Sequence, residues 1–446
     1  MATLSIEEFG RRLRARELSA VEAVDDCLGR IRKDNPRLNA FILVLADSAR
    51  RQAAEADAEL ARGADRGPLH GVPVSIKDLF DLSGTVTTAA SRVREGIVSH
   101  QDALAVSRLR RAGAVIVGKT NLHEFAMGTT NEDSAFGPVR HPVDSTRSPG
   151  GSSGGSAVSV ASGMALATLG TDTGGSVRIP AAVCGLVGLK PGYDELPSSG
   201  VVPLSRTLDH VGPLTTTVAD AWQMFQALLG GAPAHSFTPA PISRLKLGVP
   251  HPYFFDVLDA EVRTAVQRAM DAVVRAGATL VEVDIPHAPL IATAYTHIVF
   301  GDAAAYHATS LATMPEKYTR NVRLRLETAR YVLAEDYVRA LDARRLLRNE
   351  VDEALAGLDA LVLPTVPIVA PPLGAATVTI TGREEPVRTV MLRLTQLFNL
   401  TGHPAVTLPC GTSTAGLPCG LQLAGALGHT DRLLRVAGGV ELALQS

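Results

Sequence analysis

Apolar residues recur at helical spacing in two long segments of the chain. Between residues 20 and 31, valine, leucine and isoleucine return every three or four positions, and residues 260–277 repeat this pattern. The capping pattern Ser-x-x-Glu occurs at Ser5 and again at Ser19. The first 60 or so residues are therefore predicted to be helical, and a second amphipathic helix is predicted in the C-terminal half.

Short β-branched runs bounded by glycine or proline alternate with these helices. They are "GVPVSIKDLF" at 71–80, "AVIVGKT" at 114–120, "LKLGV" at 245–249 and "TLVEVDI" at 279–285. The first run places Lys77 at the carboxyl end of its strand. Alternation of this kind predicts an α/β fold, in which helices cover a sheet.

The C-terminal half changes character twice. Residues 300–358 are almost wholly helical in pattern and richer in charge, which predicts a helical layer or cap over a cleft. A strand and a proline-rich loop follow at 361–374. Residues 374–386, "GAATVTITGREEP", then predict a flexible hairpin beside the pocket that sets its width.

Composition narrows the function classes. The 446 residues are 46% hydrophobic and 20% charged, with a net charge of -2 and no Lys/Arg run, so neither nucleic acid nor an anionic membrane is an expected partner. No stretch of 18 apolar residues occurs, and the N-terminus lacks a signal-peptide pattern, so we expect a cytoplasmic protein. Four scattered cysteines indicate neither a disulfide framework nor a zinc site.

Two Gly/Ser-rich segments carry the candidate chemistry. "SPGGSSGGS" at 148–156 has the composition of a linker, yet a small-residue segment follows it and leads to "TDTGGS" at 171–176. Glycines there let backbone N–H groups approach a ligand, and the Ser176 hydroxyl needs a base to act as a nucleophile. Lys77 is the candidate base, because its apolar surroundings predict a buried side chain.

Two rival motifs compete with this interpretation. "GAVIVGKT" at 113–120 matches the phosphate-loop pattern, but its variable positions are themselves a predicted strand rather than a loop of exposed amides. "GSSGG" at 151–155 matches a nucleophile elbow centred on Ser153, with His403 and His429 downstream. A turn-rich loop, and not a strand, precedes this second motif.

Several segments together resemble the amidase signature family. They include "GVPVSIKDLFDLSG", "SPGGSSGGSA", "LGTDTGGSVRIPAAVCGLVGLKP" and "FNLTGHPAVTLPCG", and the resemblance runs from about residue 20 to about 441. It implies a central mixed, twisted β-sheet covered by helices on both faces, in a single domain spanning 1–446. Within that domain we expect an N-terminal helical segment at about 1–65, a signature core at about 66–230 and the helical layer at about 287–358.

The resemblance implies a Ser-Ser-Lys triad. Ser176 falls on the nucleophile, Ser152 on the bridging serine and Lys77 on the base, with a cis peptide bond between Gly151 and Ser152. An ordinary lysine has a pKa near 10.4, so only about one molecule in several thousand is neutral at pH 7. Burial without a carboxylate partner lowers that pKa, and the proposed base requires such a site.

The resemblance also implies an oxyanion hole formed by the backbone amides of Thr173, Gly174 and Gly175. The candidate substrate contacts are Met127, Gly128, Ser153 and Arg178. Ordinary core packing is the alternative for the segment around Met127. An ion pair with Asp172 is the alternative for Arg178. No metal and no cofactor is expected.

The substrate prediction rests on one departure from a branch of the family. Glutamine-hydrolysing subunits of tRNA-dependent amidotransferases carry an acidic residue seven positions before the Asn of an N-x-x-G motif, where this chain has Leu392 before Asn399. We therefore expect a free-standing monomer or homodimer that cleaves small hydrophobic or aryl amides through an acyl-serine, and also aryl esters and carbamates (urethanes). The alternatives are a nucleotide-binding protein acting through residues 113–120 and a glutamine-hydrolysing subunit of the kind just described.

Overall fold

A computed structural model describes residues 4–231 and 236–445 of the chain. The strands of the main sheet are β1 (Phe41–Val44), β2 (Pro73–Lys77), β3 (Val115–Thr120), β4 (Ala167–Asp172), β5 (Val187–Lys190), β6 (His210–Thr215), β7 (Lys246–His251), β8 (Thr279–Asp284), β9 (Ala360–Pro364), β12 (Ala405–Thr412) and β13 (Pro418–Ala424). Strands β10 (Thr377–Ile380) and β11 (Arg383–Pro386) form a separate antiparallel pair.

The α-helices are α1 (Ile6–Arg14), α2 (Ala20–Leu38), α3 (Ala46–Ala61), α4 (Leu104–Arg111), α5 (Gly154–Ala161), α6 (Arg178–Cys184), α7 (Val218–Leu229), α8 (Tyr253–Asp256), α9 (Ala260–Arg275), α10 (Ile291–Thr313), α11 (Arg320–Ala329), α12 (Ala334–Ala354), α13 (Val387–Leu392), α14 (Gln396–Thr401) and α15 (Thr430–Gln445). No helix among the described residues is long and apolar enough to cross a membrane.

The sheet is mixed, with eleven strands in the order β1-β3-β2-β4-β6-β5-β12-β13-β9-β7-β8. Strands β3, β2 and β4 are parallel, as are β9, β7 and β8, whereas the neighbours from β4 to β9 pair antiparallel. Every residue of β2, β3 and β4 is buried. Burial along the whole strand is typical of strands whose two faces are both covered, and the buried polar residues collect toward their carboxyl ends, as at Lys77, Thr120 and Asp172.

Two groups of helices cover the sheet. Helices α5 and α6 contact each other and the middle strands, while α15 contacts both α7 and α9. Both groups contact strands of the sheet. Helices α6 and α15 both contact strand β12, as two helices on opposite faces of a sheet do. The mixed α/β architecture predicted from the sequence is confirmed.

Most predicted elements occur where their patterns place them. Strands β2, β3, β7 and β8 and helix α9 match the predicted runs, and α10, α11 and α12 fill the predicted helical layer. At Ser19 the capping box is complete, because Ser19 and Glu22 bond reciprocally. At Ser5 the hydroxyl accepts from the Glu8 amide, but the Glu8 carboxylate accepts from Arg11 instead.

The prediction of a wholly helical N-terminal segment is wrong at one place. Strand β1 interrupts the helices and pairs antiparallel with β3. Its sequence, FILV, suits an edge strand, and the pairing with a distant strand overrides the surrounding helical pattern. The local sequence does not contain that partner.

The structure also does not support a phosphate loop at 113–120. Residues Val115–Thr120 form the buried strand β3, so their amides are not arranged around a ligand. The Lys119 amine lies 2.5 Å from Asp78 Oδ1 and donates to the Val86 carbonyl at 2.9 Å. This lysine is an interior, paired group.

The half-buried carboxylate of Glu441, which joins α15 to the start of α7, predicts a pH-dependent stability. The Glu441 carboxylate accepts from the Val218 amide at 3.0 Å. Burial, with the nearby charge of Asp220, raises the pKa of Glu441 to about 7. The folded protein therefore holds an extra proton between the ordinary glutamate pKa and about 7, and stability falls as the pH rises through that window.

We expect Glu441→Gln to raise the melting temperature at pH 8, where wild-type Glu441 is ionised, and to have a smaller effect at pH 5. Thermal unfolding followed by circular dichroism at the two pH values measures the difference. Glu55→Gln, at an exposed position of α3, is the matched control. Equal shifts for Glu441→Gln at both pH values would contradict the buried-carboxylate explanation.

Candidate active site

The Lys77 amine lies at the carboxyl end of β2, surrounded by hydroxyl groups. Lys77 Nζ donates to Ser152 Oγ, Ser153 Oγ and Thr171 Oγ1, each at 2.8 Å. The whole side chain is buried, at 0% exposure. No carboxylate of the described residues forms an ion pair with it.

This environment changes the charge state of the lysine. Burial lowers the pKa of Lys77 to about 7, against the opposing effect of the Asp209 and Asp172 charges. The hydroxyl oxygens accept the hydrogen bonds of the Lys77 amine, but they stabilise its charged form less than a carboxylate would. A large fraction of the Lys77 side chains is therefore neutral near pH 7.

The Gly/Ser-rich segment at 148–156 is an ordered, buried loop and not a linker. Its Gly151–Ser152 peptide bond is cis, as predicted. The Ser153 amide donates to the Ser176 carbonyl at 3.3 Å, which joins the two Gly/Ser turns. The segment then continues directly into α5.

Gly151 is required by close packing of the backbone. A Cβ atom at this position would lie 2.9 Å from the Asn131 amide nitrogen and 3.1 Å from backbone atoms of Thr129 and Thr130. Backbone atoms cannot yield to such a contact as a flexible side chain can. This explains why a glycine precedes Ser152.

The second turn connects β4 to α6 and carries Ser176, which is 5% exposed. Gly175 adopts a φ of +132°, and a Cβ there would collide with the Thr395 side chain. Thr395 Oγ1 donates to the Gly174 carbonyl at 2.5 Å. The turn is thus fixed by a residue far away in the sequence.

Asp172 organises this turn from within. Its carboxylate accepts from the backbone amides of Gly175 at 2.8 Å and Val177 at 3.1 Å, and from Arg178 Nε and Nη2 at 3.0 and 2.9 Å. Asn399 Nδ2 adds a contact at 2.9 Å. These partners, Arg178 first, hold the pKa of Asp172 well below its usual range despite burial.

The structure favours the ion-pair interpretation of Arg178 over a substrate contact. The guanidinium is fully buried, and beyond Asp172 it donates to Gln422 Oε1 and to Asn399 Oδ1, each at 2.6 Å. These partners leave no open face toward a ligand. Arg178 is therefore best described as a structural member of the turn.

The predicted oxyanion amides differ in their partners. Within residues 4–231 and 236–445, the N–H groups of Thr173 and Gly174 donate to no protein acceptor, whereas the Gly175 N–H donates to Asp172. The Thr173 hydroxyl donates to Asp209 at 2.6 Å. Two of the three predicted amides are thus available to a ligand.

The other candidate contacts lie in the interior. Ser153 Oγ accepts from Lys77 and donates to the Thr171 carbonyl at 3.2 Å, which leaves the nucleophile-elbow interpretation without support. Met127 is 1% exposed, and its carbonyl accepts from Arg325 at 3.0 Å. Gly128 packs against the His123 ring, where a Cβ would collide.

A cleft of about 740 Å³ lies next to the loop that carries Gly151, although Lys77, Ser152 and Ser176 are not among its lining residues. Helix α11, the β10–β11 hairpin region and α13 contribute to its walls, as the predicted helical layer and hairpin suggested. Its lining includes His123, Glu132, Asp133, Arg325, Gly374 and Arg388. Thr129 and Thr130 also line it, and their backbone atoms pack where Gly151 lacks a side chain.

Several functional neighbours have no sequence pattern that identifies them. Thr171 is one residue from the end of β4. Its hydroxyl is recognised as part of the site only because it accepts a hydrogen bond from the Lys77 amine. Asn399 and Gln422 reach the turn from more than 200 residues away. The downstream His403 is bound to Thr401 and Asp352, so it is not a base for either serine.

In the part of the chain that the structure describes, no three His, Cys, Asp or Glu side chains form a group that could hold a metal ion. The arrangement offers a buried amine, two serine hydroxyls and two open backbone amides. These groups are suited to acyl transfer.

Comparison with known proteins agrees with this chemistry. The family profile described as Amidase matches residues 22–434. An amidase of Pseudomonas putida is 43% identical over 94% of this chain and 91% of its own length. A Glutamyl-tRNA(Gln) amidotransferase subunit from Anaeromyxobacter dehalogenans is 39% identical over 100% of this chain and 97% of its own length.

The fold is likewise similar to solved structures. A crystal structure of an amidase superposes with a TM-score of 0.93 at 38% identity, and the match covers 98% of this chain and 99% of that one. The similarity therefore includes the sheet, the two turns and the helical layer together.

The Asp172–Arg178 pair predicts a large effect on stability. We expect Arg178→Met to lower the free energy of unfolding by about 3–5 kcal/mol, because it leaves the buried Asp172 carboxylate uncompensated. Chemical denaturation measures this change.

Arg345→Met is the matched control, since Arg345 is 79% exposed and pairs with Asp342 at the surface. We expect it to cost at most about 1 kcal/mol. The double variant Asp172→Asn with Arg178→Met should recover part of the loss. If Arg178→Met lowered the free energy of unfolding no more than the control does, the Asp172–Arg178 pair would not be the interaction that stabilises the turn.

Proposed function

The chain belongs to the amidase family, and we propose that this amidase-type hydrolase cleaves the carbonyl C–N bond of small amides with Ser176, Ser152 and Lys77 as its catalytic residues. One observation carries the proposal. The buried Lys77 amine has a pKa near 7, has no carboxylate partner and contacts the Ser152 hydroxyl at 2.8 Å. A neutral amine in that position is a general base.

The first step is the attack of Ser176 on the substrate carbonyl. Neutral Lys77 accepts the proton of Ser152 while Ser152 accepts the proton of Ser176, whose oxygen forms a bond to the carbonyl carbon. Negative charge develops on the carbonyl oxygen. The open N–H groups of Thr173 and Gly174 bind this oxyanion, and the Gly175 N–H keeps the turn in shape by binding Asp172.

Collapse of the tetrahedral intermediate releases the amine. The leaving nitrogen takes a proton from Ser152, which is reprotonated by Lys77, and the acyl group remains on Ser176. Water then attacks the ester carbonyl while its proton passes through Ser152 to Lys77, and when the C–O bond to Ser176 breaks, that proton returns through Ser152 to the Ser176 oxygen. The products are a carboxylic acid and a free amine, and the enzyme returns to its starting state.

The preferred substrates have an apolar part. Leu392, at the end of α13, is buried, and its carbonyl accepts a hydrogen bond from Thr395, the residue that holds Gly174. An apolar residue at this position, in place of the acidic residue of the amidotransferase branch, favours hydrophobic or aryl amides. Aryl esters and carbamates present the same planar carbonyl and a comparable leaving group, so they are included as substrates.

A second candidate function is glutamine hydrolysis in an amidotransferase complex. The observation that favours it is the full-length similarity to the Anaeromyxobacter amidotransferase protein. Leu392 argues against it, because an apolar side chain gives no ion pair to the amino group of glutamine. The two functions differ in whether the chain needs partner chains for activity.

A substrate panel on the purified chain tests the proposal. We expect hydrolysis of pentanoyl p-nitroanilide without added chains or ATP, slower or no hydrolysis of glutamine, and measurable hydrolysis of the matching phenyl ester and phenyl carbamate. Release of nitroaniline, phenol or ammonia gives the rates. Ser176→Ala should reduce every rate by at least about a thousandfold.

Ser413→Ala, a buried serine remote from the turns, is the control for loss of a hydroxyl. Full activity of Ser176→Ala would overturn the assignment of the nucleophile. Activity toward glutamine alone, and only with partner chains present, would favour the second candidate.

The Lys77 pKa predicts the pH profile of this activity. Because the neutral amine is the active form, kcat/KM should rise about tenfold per pH unit below pH 7 and level off above it. Rates of anilide hydrolysis from pH 5 to 9 give the profile. Lys77→Arg should be inactive throughout, because its guanidinium stays charged.

Asp209→Asn provides a second check on the rise of kcat/KM with pH below pH 7. The Asp209 charge raises the pKa of Lys77, so its removal should move the rising limb to lower pH. The surface variant Asp342→Asn should leave the profile unchanged. A profile that is flat between pH 5 and 8 would contradict a lysine base with this pKa.

A further inference from the structure

Arg388 is a cation in the cleft without a counter-ion. It lies on α13 and lines the cleft. Its Nε is buried without a hydrogen-bond partner, and no Asp or Glu of the described residues forms an ion pair with it. Burial lowers the pKa of this guanidinium, and no carboxylate offsets that effect.

The other cleft charges are already engaged. Arg325 donates to the Met127 carbonyl at 3.0 Å and lies 3.7 Å from Asp133. Asp133 is also bound by Asn321, at 3.0 Å.

Two further charged residues of the cleft have backbone partners. Glu132 accepts from the Gly374 amide at 2.7 Å, and Arg140 donates to the Ser145 carbonyl at 2.9 Å. Among the described residues that line the cleft, Arg388 is therefore the arginine without a protein hydrogen bond or ion pair.

Arg388 is also connected to the reacting centre. Its guanidinium interacts electrostatically with Tyr295 of α10, and the Tyr295 hydroxyl packs against Gly174 of the Ser176 turn, where a Cβ would collide with it. One helical turn after Arg388 comes Leu392, on the same face of α13. Within the cleft itself, the apolar neighbour of Arg388 is Val387.

From these contacts we propose that Arg388 binds a carboxylate of the substrate, so that the preferred amides combine an apolar segment with a carboxylate remote from the scissile carbonyl. The planar guanidinium matches a carboxylate through two parallel hydrogen bonds, and a half-buried cation whose Nε has no partner gains from such a carboxylate. The inference rests on the proposed amide hydrolysis and adds a specificity-determining residue to it.

Matched substrates test this inference. Glutaryl p-nitroanilide and pentanoyl p-nitroanilide have acyl chains of equal length and differ in a terminal carboxylate, while 4-(pentanoylamino)benzoate carries the carboxylate on the amine side. We expect the wild type to prefer at least one carboxylate-bearing substrate. Arg388→Met should lower kcat/KM for that substrate on the order of ten- to hundredfold, mainly through KM, and change the neutral anilide less than about threefold.

Two further variants define the role. Arg388→Lys keeps the charge without the planar fork and should fall between wild type and Arg388→Met. Arg383→Met removes an exposed charge from the neighbouring hairpin and should leave all three rates unchanged. Equal losses for neutral and charged substrates in Arg388→Met would show a structural role and overturn the inference.

Binding without turnover separates this inference from the proposed function. Calorimetric titration of Ser176→Ala with glutaryl anilide, pentanoyl anilide and 4-(pentanoylamino)benzoate should show tighter binding of a carboxylate-bearing ligand, lost on adding Arg388→Met. Absence of turnover in the wild type together with this preference would reject the catalytic proposal alone. Hydrolysis of the neutral anilide without any carboxylate preference in rate or binding would reject the Arg388 inference alone.

Discussion

The structure depends on keeping one buried amine, that of Lys77, close to hydroxyl groups and away from carboxylates. A carboxylate at hydrogen-bond distance would stabilise the ammonium and remove the neutral base. Asp172 lies close enough to raise the pKa of Lys77, yet its oxygens are occupied by Arg178, Asn399 and backbone amides. The same ion pair therefore shapes the nucleophile turn and compensates the nearby negative charge.

Two lysines in neighbouring strands show how partners decide the outcome. Lys119 on β3 is as buried as Lys77 on β2, but Lys119 lies against Asp78, whereas Lys77 meets three hydroxyl oxygens. The first arrangement is an interior ion pair that supports the fold. The second leaves an amine that changes protonation near neutral pH, which is the condition for general-base chemistry.

Much of this site follows from local sequence, and the rest does not. The apolar run around Lys77 and the Gly/Ser composition of the two turns predict a buried lysine near serines, because strand burial and glycine flexibility are local properties. The partners of Arg178 are different, since Asn399 comes from helix α14 and Gln422 from strand β13, both more than 200 residues away. Strand β1 escapes local prediction for the same reason, as only its pairing with β3 distinguishes it from a helix.

Specificity is separated from catalysis in this fold. The turns that carry Ser152 and Ser176 are held by the central strands, whereas the cleft walls come from α11, the hairpin and α13. If the proposed substrate site includes this cleft, changes in these outer segments would alter its charge and shape while the strands that hold the Lys77 amine stay the same. Relatives named for two different activities have similar identities to this chain, so overall similarity does not decide between substrates, and the proposed roles of Arg388 and Leu392 address that difference at single positions.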